Sequence, residues 1–378
     1  MASQQGLLVT ADGAVFRGVS VGAEGVSTGE VVFNTAMTGY QEVLTDPSYA
    51  GQVVVMTSVH IGNYGVAATD DQATVPAAAG MVMRSLAARP SSWRAEGSLA
   101  ETFAERGIVA LSEVDTRRLT RHIRERGAMS VAMGSGVNES ELAARAASAP
   151  PMEGQALAVS VSTARPYQVP ATGDRRGKVV AIDLGIKRDI LRQLAGRGFD
   201  VEVMPATVIA TEITERQPDG IFLSNGPGDP EPLTQTVATL RDLIGKVPIF
   251  GICLGHQVFG LALGARTFKL PFGHHGGNHP VRRLEDGRVA ITSQNHGFAV
   301  DLQSIAKGDR ISGELPPQVE TDFGAVIPTH QNLNDGTLEG MRSLEVPAFS
   351  VQFHPEAAPG PRDAVKLFDD FVELMDRA

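Results

Sequence analysis

The sequence predicts an α/β protein in two parts, a C-terminal and mostly parallel sheet flanked by helices, preceded by a separate β-rich α/β domain. Apolar strands alternate with helical patterns from Lys178 onward, which is typical of a parallel sheet covered on both faces. The first half instead shows short apolar segments separated by glycine turns. A stretch rich in Pro, Ala, Gly and Ser follows Ser148, and we place the division near residue 172, giving domains 1–172 and 173–378.

The individual elements follow from apolar periodicity, two residues for strands and 3.6 for helices. In the second half we predict strands at 178–183, 201–204, 220–224 and 247–251, and helices at 187–198, 207–216, 237–245 and 361–375. In the first half we predict strands at 7–9, 14–16, 30–33 and 52–56, and helices at 99–106 and 116–126. Ligands of such parallel sheets bind at the carboxyl ends of the strands.

Composition excludes several classes of protein. The 378 residues include 33 Lys plus Arg and 43 Asp plus Glu, and the formal charge of −10 disfavours a nucleic-acid backbone as the main partner. One cysteine precludes an internal disulfide and fits a reducing compartment. We find no secretory pattern in residues 1–15 and no apolar run near the ~18 residues that span a bilayer, so we expect a cytoplasmic protein.

The only cysteine, Cys253, follows the apolar run 247–252 and is flanked by Gly251 and Gly255. Strand, sharp turn and helix in this order are typical of a nucleophile elbow, in which glycines accommodate the strained backbone. The positive end of the following helix favours a thiolate. Further along, His354 and Glu356 lie two residues apart, so that both side chains point the same way in extended chain. Nucleophile, base and orienting carboxylate are therefore all present.

Three simpler interpretations stand beside this one. A lone cysteine is most often a small buried hydrophobic residue. The loop 224–230 is by default a turn. Its prolines argue against a phosphate-binding loop. As a functional alternative, its backbone N–H groups, together with that of Leu254, suit a developing oxyanion. The segment 46–49 is also by default a turn, and the polar segment 294–298 with Gln257 can recognise a small polar substrate.

Three histidines, His274, His275 and His279, lie close together in the sequence. Their spacing matches no common zinc pattern, and the only cysteine is already assigned to the elbow. We therefore expect no metal site in this chain and interpret these histidines as surface or interface residues.

The segments 251–257 and 354–356 together resemble the class I glutamine amidotransferases, a family with a flavodoxin-like sheet and a Cys-His-Glu triad. Segments of both halves also resemble the small subunit of carbamoyl phosphate synthetase: 33–42, 44–49, 60–63, 115–121, 273–280 and 294–298. The resemblance spans nearly the whole chain and matches little between Met129 and Ala171.

The resemblance implies a role for individual residues. Cys253 is then the nucleophile, His354 the general base and acid, and Glu356 its orienting partner. The resemblance further implies that the amides of Gly226 and Leu254 form the oxyanion hole. The remaining implied glutamine contacts are Ser48, Gly228, Gln257, Asn295, Gly297 and Phe298, with Ser48 contributed by the first domain.

The resemblance also implies a function and a partner. The chain would hydrolyse glutamine and pass ammonia to a large subunit, which binds ATP, Mg²⁺ and bicarbonate and makes carbamoyl phosphate for arginine and pyrimidine biosynthesis. This chain itself would bind no cofactor and would form at least a heterodimer, docking through its first domain.

Other functions fit parts of the sequence. One is a stand-alone thiol amidohydrolase of the same fold, which would leave the long first domain without a role. Another is the glutaminase subunit of anthranilate or guanylate synthesis, but those proteins lack this first domain. A catalytically silent regulatory subunit would be expected to have lost Cys253, His354 or Glu356, all of which are present.

Overall fold

The computed structural model describes residues 4–306 and 314–378 of the chain, which divides into two compact units. The first unit comprises Met1–Glu153, Pro271–Gly276 and Ala358–Gly360, and the second comprises Gly154–Leu270, Gly277–Ala357 and Pro361–Ala378. The division predicted near residue 172 therefore falls inside the second unit. The reason is that Ala158 is buried in the core of that unit and the strand Tyr167–Val169 pairs with its sheet.

The first unit is built on a closed barrel of seven strands. The strands of the whole unit, seven in the barrel and two outside it, are β1 Gln5–Thr10, β2 Val15–Ser20, β3 Val26–Asn34, β4 Gln52–Met56, β5 His60–Ile61, β6 Gly80–Val82, β7 Ser85–Leu86, β8 Ala110–Ser112 and β9 Met129–Ser135. The barrel order is β1-β2-β8-β6-β4-β3-β9, closed by antiparallel pairing of β9 with β1, while β5 and β7 form a separate parallel pair. Closure leaves no free edge strand in the barrel.

Three of the four α-helices described in the first unit begin at a side-chain cap. The four helices are α1 Tyr40–Thr45, α2 Leu99–Glu105, α3 Thr116–Arg126 and α4 Glu139–Ser148, with short 3₁₀ helices at Pro47–Tyr49 and Ala68–Asp70. Ser98 and Glu101 form a capping box at α2, and the Asp115 side chain caps α3. The helices predicted at 99–106 and 116–126 are thus present, and the sequence interpretation missed α1 and α4.

The second unit contains an eleven-stranded mixed sheet with helices on it. Its strands are β10 Tyr167–Val169, β11 Gly177–Asp183, β12 Phe199–Pro205, β13 Gly220–Leu223, β14 Ile249–Ile252, β15 Arg266–Arg283, β16 Val289–Asp301, β17 Val319–Thr321, β18 Gly324–Asn332, β19 Leu338–Ser343 and β20 Ala348–Val351. The strands β12-β11-β13-β14-β20 are neighbours and run parallel, which confirms the predicted fold class. Residues 271–276 of β15 belong to the first unit.

The helices of the second unit complete the alternating pattern. They are α5 Leu157–Val161, α6 Arg188–Ala195, α7 Ala210–Thr214, α8 Thr234–Leu243, α9 Leu254–Ala262 and α10 Leu367–Arg377, with a 3₁₀ helix at Leu302–Ile305. Among the described residues, no helix combines the length and apolarity needed to cross a bilayer.

Two apolar layers hold the parallel strands from both faces. Along β11, Val180 and Ile182 join one layer whereas Val179 and Ala181 join the other, as the two-residue alternation of a strand requires. Because the neighbouring strands are parallel, the loops after β13, β14 and β20 emerge at the same edge of the sheet.

Phe250 of β14 belongs to the apolar layer that also contains Val179 and Ala181, and its replacement tests how much this layer stabilises the protein. It is fully buried, and its ring centroid lies 4.4 Å from that of Phe349 and 5.4 Å from that of Phe222. We expect Phe250→Ala to lower the free energy of unfolding by about 3–5 kcal/mol, because it leaves a cavity in a packed aromatic cluster. The measurement is urea unfolding followed by far-UV circular dichroism, since the only tryptophan, Trp93, lies in the first unit.

The matched control is Phe268→Ala, a phenylalanine of the same unit that is 43% exposed. Its loss should change the free energy of unfolding by no more than about 0.5 kcal/mol. Equal losses in the two variants would contradict the proposed importance of the aromatic cluster.

Candidate active site

Cys253 occupies a strained turn between β14 and α9. Its backbone has φ 55° and ψ −105°, a conformation that costs a non-glycine residue on the order of 1–3 kcal/mol. Gly255 makes the turn possible, because a Cβ there would lie 2.4 Å from the carbonyl oxygen of Leu223. The thiol is buried, and its Sγ donates to the carbonyl oxygen of Asn295 at 3.4 Å.

His354 and Glu356 follow β20 and lie side by side, as their spacing in extended chain predicts. The His354 backbone N–H donates to the carbonyl oxygen of Ser293 at 2.9 Å, which fixes this segment beside β16. Nδ1 of His354 lies 2.7 Å from Oε1 of Glu356, and both side chains are buried. The other ring nitrogen, Nε2, makes no hydrogen bond to the described residues. That nitrogen is thus available for proton transfer.

Charge controls the protonation of this pair. Burial alone lowers the pKa of His354, but the carboxylate of Glu356 and the sulfur of Cys253 overcome it and raise that pKa to about 10. Burial raises the pKa of Glu356, whereas Lys187 and His354 together lower it to about 2. At neutral pH the site therefore holds an imidazolium and an ionised carboxylate.

Lys187 is a member of this site that the sequence interpretation missed. Its Nζ lies 2.9 Å from Oε1 of Glu356 and donates to the carbonyl oxygen of Ala357 at 2.6 Å. The side chain is 2% exposed, although a lysine at the start of a predicted helix ordinarily lies in solvent. Its backbone N–H donates to Oδ1 of Asn225 at 3.1 Å. Only a long-range contact reveals this lysine, and no local sequence signal does.

The loop 224–230 lies against the elbow. The N–H of Gly255 donates to the carbonyl oxygen of Ser224 at 3.0 Å. A Cβ at Gly226 would lie 2.0 Å from the carbonyl oxygen of Leu184 and 2.8 Å from a methyl group of Leu254, so only glycine fits there. Leu254 is the first residue of α9, where backbone N–H groups have no partner within the helix. The two candidate oxyanion donors thus lie on neighbouring segments.

Gly228 closes the same loop. Its φ of 87° favours glycine, and a Cβ would lie 2.8 Å from the carbonyl oxygen of Gln155. The neighbouring Asp229 accepts from the N–H of Gly154 at 2.8 Å. These contacts hold the loop in one conformation. That its backbone N–H groups face a substrate stays a prediction.

The polar segment 294–298 forms part of β16 and contacts the elbow directly. Besides the bond from Cys253 to Asn295, Nε2 of Gln257 donates to the carbonyl oxygen of Phe298 at 2.8 Å and to Oε1 of Gln352 at 3.1 Å. Phe298 is buried, and Gly297 precedes it in the strand. The structure therefore brings Asn295 against Cys253 and Gln257 against Phe298, and Gly297 lies between Asn295 and Phe298 in β16.

A buried polar chain supports this segment from behind. Oε2 of Glu339 accepts from Nε2 of Gln294 at 2.9 Å, and this orients the Gln294 amide so that its oxygen lies 2.9 Å from Nε2 of His296. Nδ1 of His296 lies 2.8 Å from the carbonyl oxygen of Phe298. Glu339 is fully buried and also accepts from Asn332 at 2.7 Å. The chain of contacts fixes the strand that carries the candidate substrate contacts.

Ser48 lies in the first unit, within the 3₁₀ helix Pro47–Tyr49. It is buried, and its backbone N–H donates to Oδ1 of Asp46 at 2.9 Å. The turn expected for the segment 46–49 is therefore present. A contact from Ser48 to substrate stays a prediction.

Comparison with known proteins gives the same assignment along the chain. The family model described as "Carbamoyl-phosphate synthase small chain, CPSase domain" matches residues 8–133, and that described as "Glutamine amidotransferase class-I" matches residues 180–374. The carbamoyl phosphate synthase small chain of Xanthomonas campestris pv. campestris is 50% identical over 389 residues, which cover 100% of this chain and 99% of the relative. That of Thioalkalivibrio sulfidiphilus is 49% identical over 98% of this chain and 97% of the relative.

Replacing Glu356 tests the charge balance of the site. In Glu356→Gln the main cause that raises the pKa of His354 is lost, while burial, which lowers that pKa, and the sulfur of Cys253, which raises it, both remain. We expect the pKa of His354 to fall in the variant, so that at pH ~8 a larger fraction of its ring is neutral than in the native chain. The ¹⁵N chemical shifts of the ring in histidine-labelled protein measure this change.

Glu345→Gln is the control, because Glu345 is an exposed carboxylate of the same unit that accepts from the N–H of Ala325 at 3.1 Å. It should leave the His354 resonances unchanged. An imidazolium that persists in Glu356→Gln would show that Glu356 does not set the charge of His354.

Proposed function

The chain belongs to the family of carbamoyl phosphate synthase small chains, and from this premise we propose how its own residues hydrolyse glutamine. Membership confirms the predicted role as the glutaminase subunit of a glutamine-hydrolysing carbamoyl phosphate synthase. The observation that carries the proposed mechanism is the buried His354–Glu356 pair beside the strained Cys253.

The first half-reaction forms a thioester. The Cys253 thiolate attacks the side-chain amide carbon of glutamine, a C–S bond forms, and the carbonyl electron pair moves to oxygen. The N–H groups of Gly226 and Leu254 bind that oxyanion, and each such donor contributes roughly a 100- to 1,000-fold gain in turnover. Nε2 of the His354 imidazolium gives its proton to the amide nitrogen, the C–N bond breaks and ammonia leaves.

The second half-reaction releases glutamate. His354, now neutral, takes a proton from water while the water oxygen attacks the thioester carbon. The tetrahedral intermediate collapses, the C–S bond breaks, and the thiolate and imidazolium are restored. Glu356 keeps its charge throughout and stabilises the imidazolium at both ends of the cycle, because Lys187 lowers its pKa.

Substrate recognition is proposed for residues that surround the elbow. Asn295 contacts Cys253 and Gln257 contacts Phe298, while Gly226 and Gly228 belong to the loop 224–230 and Leu254 begins α9. Ser48 is proposed as a further glutamine contact from the first unit. Backbone groups and amides of this kind suit the α-amino and α-carboxyl groups of glutamine.

A small chain has a large chain as its partner, and we propose that the two form a heterodimer in which ammonia passes to the large chain. The large chain would bind ATP and Mg²⁺ and make carbamoyl phosphate from bicarbonate, while this chain binds no cofactor. We propose a cytoplasmic location, which the single cysteine supports because it fits a reducing compartment.

Removing the nucleophile tests the mechanism. We expect Cys253→Ala to lower glutamate release from glutamine by about a thousandfold or more, because no thioester can form. Ammonia-driven carbamoyl phosphate synthesis by the assembled complex should remain, since it bypasses Cys253. The measurement compares both activities in the native and variant complexes.

Alkylation provides an independent control, because iodoacetamide has only one thiol to modify in this chain. The native chain, alkylated before it is combined with the large chain, should behave like Cys253→Ala. Loss of ammonia-driven synthesis in a variant complex that still assembles would contradict the proposed division of labour between the chains.

Lys187 should determine the acid limit of activity. In Lys187→Met the cation that lowers the pKa of Glu356 is removed, so Glu356 protonates at a higher pH and His354 loses its counter-ion there. We expect the acid limb of the kcat/KM profile for glutamine to move to higher pH. The control is Lys178→Met, which breaks a pair with Glu202 near the opposite end of the parallel strands. An unchanged acid limb in Lys187→Met would remove Lys187 from the mechanism.

A further inference from the structure

The segment 115–121 is one of those that resemble the carbamoyl phosphate synthetase small subunits, but it has no part in the proposed glutamine chemistry. In the first unit it forms the start of α3, and some of its residues have clear structural roles. Oδ1 of Asp115 accepts from the N–H of Arg118 at 2.9 Å, and Leu119 is fully buried. The Arg118 guanidinium lies 4.0 Å above the ring of Phe16 and donates to the carbonyl oxygen of Val15. The other arginines of α3 have no such role.

Arg117, Arg121 and Arg124 are exposed and follow one another at helical spacing. Residues four and seven positions apart share one face of a helix, and this row extends over about 10 Å. Arg121 lies 3.5 Å from Glu125, but both side chains are at least 65% exposed, so the pair neutralises little of the charge. Across residues 4–306 and 314–378, neither Arg117 nor Arg124 forms an ion pair.

The row of arginines borders a surface cavity of about 520 Å³. Arg84 adds a fourth guanidinium from the segment after β6, where it donates to the carbonyl oxygen of Glu113 and so keeps its full charge. The only carboxylate that lines this cavity is Asp115, which already caps the helix. Four arginines against one carboxylate contrast with the charge of −10 on the whole chain. Because the four arginines repel one another, their clustering does not contribute to the stability of the fold.

We propose that the arginine face formed by Arg117, Arg121 and Arg124 of α3 together with Arg84 is a docking surface for an acidic patch on the large chain. The inference rests on the proposed function, which requires such a partner. Guanidinium groups bind carboxylates in a bidentate manner, and arginine is enriched at the energetic centres of protein interfaces. Val59, 52% exposed at the same cavity, supplies apolar contact.

The geometry favours a protein surface over a small anion. A site for phosphate or a carboxylic acid gathers its donors around one point, whereas three of these four guanidinium groups are spread along two turns of an exposed helix. The net negative charge of the chain also disfavours a nucleic-acid backbone. A row of cations of this length matches several carboxylates on a facing surface.

The test is the double charge reversal Arg117→Glu/Arg121→Glu in the full-length chain. We expect its Kd for the large chain encoded in the same genome to rise about tenfold or more at ~50 mM salt, with most of the change in the association rate. The difference should narrow at ~500 mM salt, because screening weakens attraction between exposed charges. Surface-immobilised large chain and a salt series measure both effects.

Arg17→Glu/Arg145→Glu is the matched control. It changes the net charge by the same amount on exposed arginines of the same unit, which pair with Glu139 and Glu141 away from the cavity. Its affinity should stay close to that of the native chain. Thermal unfolding and glutamine hydrolysis by each free variant establish that both remain folded, since neither pair belongs to the proposed glutamine site.

Several results would overturn the proposal. Equal affinity of the α3 double variant and the native chain for the large chain would exclude this face as the docking surface while leaving the proposed function intact. A native chain that hydrolyses glutamine but binds no large chain would remove the proposed partner and this surface with it. Calorimetric binding of inorganic phosphate, abolished by the double variant while its affinity for the large chain is unchanged, would assign the face to a small anion. Loss of self-association in sedimentation, again with unchanged affinity, would assign it to a second copy of this chain.

Discussion

An ionised carboxylate without access to solvent sets the main constraint on the second unit. Glu356 is held between the cations of Lys187 and His354, and all three side chains are buried. Bringing such charges out of water is costly unless their geometry is good, and removal of one partner leaves an unpaired charge, at a typical cost of about 3–5 kcal/mol. The start of α6 and the segment after β20 must therefore be placed together. Chemistry and stability depend on the same contacts.

The elbow depends on its surroundings in a similar way. Cys253 keeps a strained backbone because β14 and α9 fix both sides of it, and because glycine at position 255 allows β13 to approach closely. The strain places the sulfur at the end of the parallel strands, where the loop 224–230 and the segment 294–298 also lie. Rigid elements thus carry each group, so little reorganisation is needed when charge develops on a bound amide.

Much of this arrangement was accessible from the sequence, for identifiable reasons. Buried strands and amphipathic helices repeat with fixed periods, so the elements from β11 to α9 were predicted to within a few residues. The pairing of His354 with Glu356 followed from a spacing of two in extended chain. Lys187 was missed because its burial depends on a contact 169 positions away, between Lys187 and Glu356, which no local pattern encodes. The same reason explains the division of the chain, since strand pairing by residues 167–169 assigns them to the second unit despite their loop-like composition.

The discontinuous make-up of the first unit has a consequence for synthesis on the ribosome. The barrel closes through pairing of β1 with β9, so its strands are complete once residue 135 has emerged. Yet this unit also includes Pro271–Gly276 and Ala358–Gly360, the last of which is translated close to the end of the 378 residues. Domains of many proteins fold in order from the N-terminus while translation continues. Here the first unit acquires Ala358–Gly360 only after most of the second unit has been translated, so the first unit stays incomplete while the second is being made.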